Sequence, residues 1–243
     1  MISVKQVEKK FGRLTALEKV SLEFQTGKSY ALVGPNGSGK TTLIKSILGL
    51  VVPTSGEILF DEKSIRHDWM YRDKVGYMPQ IGRYPENMRI GQLFDMMKNI
   101  RQEHQKVDED LIDAFKLYKM YDKRMHGLSG GTRQKVSAAL AFLFHVPVYI
   151  LDEPTAGLDP ISVEILKEKI IHEKHLNKLL IVTSHILSDL DELTNNMVYM
   201  FEGKVHYDNT IEQLKAETKE SRLSKALTTF IRQKELVASV SDL

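Results

Sequence analysis

The sequence predicts an α/β fold with a buried, mainly parallel sheet, an N-terminal antiparallel β subdomain and an inserted α-helical lobe. Three observations carry this. Ser29 to Val33, Val75 to Met78, Val148 to Asp152, Leu179 to Thr183 and Met197 to Phe201 are almost continuously apolar, as strands covered on both faces must be. Ile2 to Val7 and Val20 to Phe24 instead alternate apolar and polar residues, the period-2 pattern of half-covered antiparallel strands. Glu57 to Phe60 and the stretch from the Gly203 turn to Tyr207 share that pattern. Between Gln80 and Leu128 the apolar period changes: Ile90, Leu93, Phe94, Met97 and Ile100, then Leu111, Ala114, Phe115, Leu117 and Tyr118, recur at helical spacing. The lobe is placed at about residues 83–128, inside a unit covering 1–210.

The chemistry is concentrated at the ends of the apolar strands. Gly34-Pro35-Asn36-Gly37-Ser38-Gly39-Lys40-Thr41 fits G-x-x-x-x-G-K-[ST], with a strand before it and a helical pattern from Thr42 to Leu48 after it. Inward-pointing amides of such a loop form an anion nest, the lysine reaches β/γ-phosphate oxygens, and the hydroxyl of Thr41 is placed to ligate Mg2+. A plain strand-to-helix turn has no need of Lys40. The core is therefore expected to be of the P-loop NTPase (RecA-like) kind. Val148-Tyr149-Ile150-Leu151-Asp152-Glu153 reads as a doubly buried strand whose C-terminal end meets the ligand. Asp152 is the candidate Mg2+ holder, and Glu153, one residue on, the candidate for orienting or deprotonating a water.

Leu128-Ser129-Gly130-Gly131 stands some twenty residues ahead of that strand. Alone it reads as a serine cap and two glycines in an ordinary turn. Its position opening a helix adds unpaired N–H groups and partial positive charge, which suit a phosphate. Three further residues are weaker in isolation. Phe11 serves equally as a packing aromatic or a flat platform. Gln80, after Pro79, fits a polar turn. His185 fits the start of a helix. Gln80 and His185 each fall just beyond a predicted strand, where ligands bind in open α/β sheets.

With these motifs in order, the chain resembles the nucleotide-binding subunits of ATP-binding cassette (ABC) transporters over about residues 2 to 210. The resemblance implies an ATPase that uses ATP and Mg2+. It makes Gly34, Pro35, Asn36, Gly37, Ser38, Gly39, Lys40, Thr41 and Thr42 the Walker A loop, Phe11 the adenine platform and Gln80 the Q-loop glutamine, a nucleotide and metal contact. Asp152 matches Walker B, Glu153 the catalytic glutamate and His185 the switch histidine. Ser129, Gly130, Gly131 and Thr132 match the signature, which faces ATP held by a second subunit. Thr132 departs from the glutamine most often found there. Asp159, in Ala156-Gly157-Leu158-Asp159, matches the D-loop. A homodimer or pseudo-dimer of ATPase subunits, peripheral to the cytoplasmic face of the membrane through a separate membrane-spanning subunit, is implied. The chain looks like ATPases of multidrug and ABC-2-type exporters, and is similar to those serving nitrous oxide reductase maturation and copper handling. The rival class is a soluble ABC ATPase without transport. Its repair members carry long coiled coils in an interval that spans 88 residues here, Lys40 to Leu128, and its translation members carry two cassettes.

Bulk composition agrees. The 34 basic and 32 acidic residues leave a net charge of +2, which offers no electrostatic footing for nucleic acid. There is no Cys, so disulfides and thiol chemistry are excluded. The longest apolar run, Ala138 to Leu151, is broken by His145 and Pro147 and is too short to span a bilayer. The first residues lack a signal peptide's apolar stretch, and a soluble chain is expected. Residues 211–243 form a helical extension in which Leu223, Ala226, Leu227, Phe230 and Ile231 make an apolar stripe. That stripe suits either its own core or a second subunit. His172 and His175 read as a solvated helix face, since no carboxylate or Cys is placed beside them by spacing. The segment Arg83-Tyr84-Pro85-Glu86-Asn87, followed by Met88, Met96 and Met97, is the candidate contact for the membrane subunit.

Overall fold

The computed structural model describes residues 1–101 and 106–241, with side chains described as far as Lys234. Strands β1 (Ile2–Phe11) and β2 (Leu14–Phe24) form a hairpin that continues through β4 (Ser55–Phe60) and the two-residue β5 (Lys63–Ser64). The order in this antiparallel sheet is β2-β1-β4-β5. The second sheet contains β3 (Ser29–Val33), β6 (Val75–Met78), β7 (Val148–Asp152), β8 (Leu179–Thr183), β9 (Asn196–Phe201) and β10 (Lys204–Thr210). Its order is β10-β9-β3-β8-β7-β6, and only the β9–β10 hairpin pairs antiparallel.

The apolar runs of the large sheet have a direct cause. Alternate residues face two different cores. Leu32, Ile150, Ile181 and Val198 point into a core shared with the antiparallel sheet and helix α1 (Lys40–Ile47). Ala31, Leu151, Val182 and Met197 point the other way, into a core shared with the helices. Polar residues on either face would be stranded without water, so no alternation survives in the sequence.

The helical side holds α2 (Ile90–Ile100), α3 (Asp110–Ala114), α4 (Gly130–Ala141), α5 (Pro160–His175) and α6 (Leu187–Leu193). The predicted lobe is present but less helical than its periodicity implied. α3 is five residues long, and Leu117–Met120 and Met125–Gly127 are 3₁₀ turns. Three members of the predicted apolar stripe lie outside the core: Ile100 is 68% exposed, Tyr118 is 49% exposed and Ala114 is exposed as well. Ile100 and Ala114 end their helices and Tyr118 lies in a short 3₁₀ turn, where the helical period no longer holds a residue against the core. Tyr84, Met88, Met96 and Met97 pack against the helical-side core, and Phe94 is buried in it.

The extension folds back onto the same chain. After α7 (Ile211–Thr218), helix α8 (Leu223–Ser241) buries Leu223, Ala226 and Leu227. The Phe230 ring meets the edges of Tyr207 at 5.2 Å and Tyr199 at 6.5 Å, a favoured aromatic geometry. The apolar stripe through Ile231 is therefore used within the chain.

Candidate active site

The parallel strands point the same way, and the motif residues leave from their C-terminal ends. β3 is buried along its whole length and feeds the loop that begins at Gly34. Gly39, the N-cap of α1, has φ 103° and lies so close to β2 that a Cβ would sit 2.5 Å from the carbonyl oxygen of Ala16. Only glycine fits that conformation and that approach. The Lys40 ammonium folds into the loop, donating to the carbonyls of Gly34 at 2.6 Å and Pro35 at 3.0 Å. Burial pushes the Lys40 ammonium down from its ordinary value, and the carboxylates of Asp152 and Glu153 oppose that shift. β3, β8 and β7 lie side by side and parallel, so the loop after β3 and the acids after β7 leave from the same end of the sheet. Ser38 Oγ is buried and has no hydrogen-bond partner among the described residues.

Asp152 and Thr183 are paired across β7 and β8. The Thr183 hydroxyl donates to Asp152 Oδ1 at 2.6 Å and accepts the Glu153 amide at 2.9 Å. Glu153 then departs from strand geometry with φ 52°, a left-handed conformation that costs a non-glycine residue about 1–3 kcal/mol. The turn brings Glu153 Oε1 to 2.8 Å from His185 Nε2, the latter carried by the loop after β8. Gln134 of α4 holds the departing backbone, donating to the carbonyls of Glu153 at 3.3 Å and Pro154 at 3.4 Å.

The signature lies on a separate helix start. Ser129 caps α4, its oxygen accepting the Thr132 amide at 3.3 Å, and the two hydroxyls lie 2.9 Å apart. Thr132 thus completes a local cap in place of the longer glutamine side chain. Gly130 has nothing within 4 Å of a notional Cβ, whereas a Cβ on Gly131 would stand 2.8 Å from the Gly157 carbonyl oxygen. One glycine keeps an approach open, and the other lets α4 pack against the D-loop. Asp159 caps α5, accepting from the Ser162 amide at 3.1 Å and hydroxyl at 2.8 Å, and pairs with Lys135 of α4 at 2.7 Å. The Lys135 hydrogen bond, followed by those from Ser162, holds the Asp159 carboxyl well below the usual carboxylate range.

Gln80 is exposed just past β6. Phe11 is half exposed at the end of β1, with the Lys9 ammonium 4.9 Å from its ring centroid. The structure therefore gathers the Gly34–Thr42 loop, Asp152, Glu153 and His185 at the C-terminal ends of the interior strands β3, β7 and β8. Ser129 instead makes its hydrogen bonds at the start of its own helix. In the segment after Gln80, Arg83, Glu86 and Asn87 are exposed, whereas Tyr84 turns inward and donates to Ser137 Oγ of α4 at 2.9 Å.

Four residues of this machinery carry no motif of their own: Thr183, Gln134, Lys135 and Tyr84. Thr183 alone left a signal, a hydroxyl ending one apolar strand next to another that ends in Asp152. The other three act through pairings set by tertiary packing.

A glycine-rich loop with an inward lysine, beside parallel strands ending in Asp, Glu and a nearby His, defines a P-loop nucleotide hydrolase. Residues 17–156 match the family model described as ABC transporter. The chain is 30% identical over 207 residues to the lantibiotic transport ATP-binding protein SrtF of Streptococcus pyogenes, covering 84% of this chain and 89% of that one. It is 31% identical over 214 residues to the Nod factor export ATP-binding protein I of Burkholderia lata, covering 84% and 68%. Against the bacitracin transport ATP-binding protein BcrA of Bacillus licheniformis the figures are 29% over 220 residues, 88% and 71%. A solved ATP-binding subunit of an ABC transporter superposes with a TM-score of 0.85 at 25% identity, covering 94% of this chain and 98% of that one. A dimeric ATP-binding cassette bound to ADP and Pi, at 24% identity and covering 86% and 98%, shares the fold with a TM-score of 0.77. The chain belongs to the ABC transporter family as an ATP-binding subunit, and its activity is ATP hydrolysis. Among the described residues no helix is long and apolar enough to cross a membrane.

Proposed function

We propose that the protein is the motor of an exporter, in which two copies close on two ATP molecules and drive a separate membrane-spanning subunit. One observation carries the two-copy reading. Gly130 stands in open space at the start of α4, while Ser129 is satisfied within that helix. The signature is thus preformed, and phosphate on another copy would complete it. Export follows the named role of the Nod factor relative. The ATPase would sit peripherally on the cytoplasmic face, with residues 1–210 as the ATP-binding unit, about 83–128 as its lobe and 211–243 as an extension.

Each residue has a place in this reading. The loop amides and Lys40 take the phosphates, and Phe11 supports adenine. The loop's donor set fits a triphosphate: among the described residues the Lys40 ammonium donates to two carbonyl oxygens, which a phosphate outcompetes as acceptor. Asp152, the Thr41 hydroxyl and Gln80 present the oxygen donors that a hard Mg2+ prefers, and Thr183 engages Oδ1 of Asp152 but not Oδ2. Mg2+ held there would neutralise charge on the phosphate oxygens. Glu153 accepts a proton from the attacking water, and His185, within hydrogen-bond reach of that carboxylate, fixes its direction and supports the γ-phosphate. Asp159 couples the D-loop to α4 through Lys135, so closure at one site is felt at the other. Of the segment 83–87, the outward-facing Arg83, Glu86 and Asn87 are the contacts offered to the membrane subunit.

The test is Glu153→Gln. Turnover should fall about 10²–10⁴-fold, the usual worth of a general base, with ATP affinity retained and a dimer accumulating with ATP and Mg2+. A variant that remains monomeric in sedimentation, with and without its membrane partner, would refute the two-copy mechanism.

A further inference from the structure

We propose that Asp108, His145 and Glu173 form a binding site for one divalent first-row transition ion, of which Zn2+ is the best match, at the joint between the helical lobe and the sheet. One ligand atom from each residue can be chosen so that all lie within 4.8 Å of one another. His145 Nδ1 is 3.8 Å from Asp108 Oδ2. That is close to the roughly 3.4 Å edge of a tetrahedron with bonds of about 2.1 Å. Small side-chain rotations would close the difference.

The decisive residue is Glu173. Its side chain is fully buried near the end of α5 beside the Tyr149 phenol, which donates to the Phe144 carbonyl at 3.1 Å, and neither carboxylate oxygen accepts a hydrogen bond of good geometry among the described residues. Such a carboxylate is costly to bury unless something cationic meets it. The nearest cation, the Lys169 ammonium, stands off at 3.4 Å and is committed elsewhere, to Asp108 at 2.5 Å and Asp110 at 3.0 Å. Among the described residues the cluster sets the buried carboxylates of Asp108 and Glu173, with Asp110 exposed at its rim, against the one Lys169 ammonium, and the His145 ring lies at its mouth. A divalent ion between Asp108, His145 and Glu173 supplies the missing charge, and Lys169 can keep its bond to the exposed Asp110. One nitrogen and two oxygen donors suit Zn2+ and its neighbours, whereas Mg2+ and Ca2+ prefer oxygen alone. The partly exposed His145 leaves a route for a water as fourth ligand.

The site is pinned by backbone pairing. Val107 bridges to Phe144, and the Asp108 amide donates to the Leu143 carbonyl at 2.8 Å. The three ligands come from the segment before α3, the loop between α4 and β7, and the C-terminal part of α5. The last two lie at the far ends of the elements that present Ser129, Glu153 and Asp159. An ion here would brace the lobe well away from the nucleotide loop.

The full chain, stripped with a chelator, should bind one equivalent of Co2+ with visible d–d absorption, and Zn2+ should displace it. His145→Ala and Glu173→Gln should each weaken binding at least about tenfold, the scale on which even outer partners of a metal site act. His145 is partly exposed, so its variant should fold, and an unchanged melt in the absence of metal would verify that. Binding should survive His172→Ala with His175→Ala, and also excess Mg2+ with ATP. Equal Co2+ binding by the wild type and His145→Ala, no binding by either, or displacement by Mg2+ with ATP would each overturn the proposal.

Discussion

Two helix starts in this chain carry glycine-rich motifs, and they are built differently. α1 begins at Gly39 with no side-chain cap, and its loop carries a lysine that donates to two carbonyls. α4 begins at Ser129 with a side-chain cap in place and a second hydroxyl beside it. At α1 the unpaired N–H groups are left for the ligand, and the acids that act on it lie on adjacent strands of the same sheet. At α4 the Ser129 side chain caps the Thr132 amide, and Gln134 of that helix donates to the Glu153 carbonyl. The first start shares its end of the sheet with Asp152 and Glu153, which lie on the same chain. The second is capped by its own serine, and in the proposed two-copy mechanism it meets phosphate only when another copy brings it.

That contrast can be broken most sharply at Lys40. Lys40→Ala should lower turnover about 10²–10³-fold, as loss of one preorganised donor does, and weaken ATP binding by the isolated chain. ATPase assays with fluorescent-nucleotide titration check both. Gly131→Ala should act differently. Its Cβ would crowd the Gly157 carbonyl, costing about 1–3 kcal/mol of stability and impairing dimerisation, while monomeric ATP affinity holds. Urea unfolding and nucleotide titration separate these effects, and an equal loss of monomer affinity would erase the distinction between the two helix starts. Ser129→Ala should remove the cap, about 0.5–2 kcal/mol, and weaken ATP-dependent dimerisation, again with monomer affinity intact.

The smallest effect is expected at Asp159. Its carboxyl is held low by Lys135 and Ser162. Since the folded value lies below the unfolded one of about 3.9, the contribution is present above that pH and lost as pH falls through the folded value. Acid unfolding of Lys135→Met should begin nearer pH 4 than that of the wild type. Nuclear magnetic resonance titration of Asp159 would report the carboxyl directly.

Much of this site was legible because phosphate chemistry needs particular residues at fixed spacing. Gly34 to Thr41 cannot be written another way without losing the nest or the lysine, and a strand ending Asp152-Glu153 can hardly be read as loop. The helical lobe was harder. Its apolar period correctly placed Phe94 and Leu111 inside, yet it also claimed Ile100 and Tyr118, which the chain leaves in water. Periodicity reports which face is apolar, not where the neighbouring element stops. Tyr84 shows the same limit: in a segment expected to face a partner, its hydroxyl instead meets Ser137, 53 residues away.

Local sequence thus determined the nucleotide loop, the acid-ended strand and the capped signature helix, because each follows from backbone conformation and side-chain chemistry over a few residues. Only the tertiary structure decided that Thr183 ties Asp152 to the Glu153 backbone, that Lys135 joins α4 to the D-loop, and that Glu173 is buried without a hydrogen bond of good geometry. Those are encounters between distant segments. They depend on sheet register and helix packing, which summed burial over the whole chain selects and no short stretch encodes.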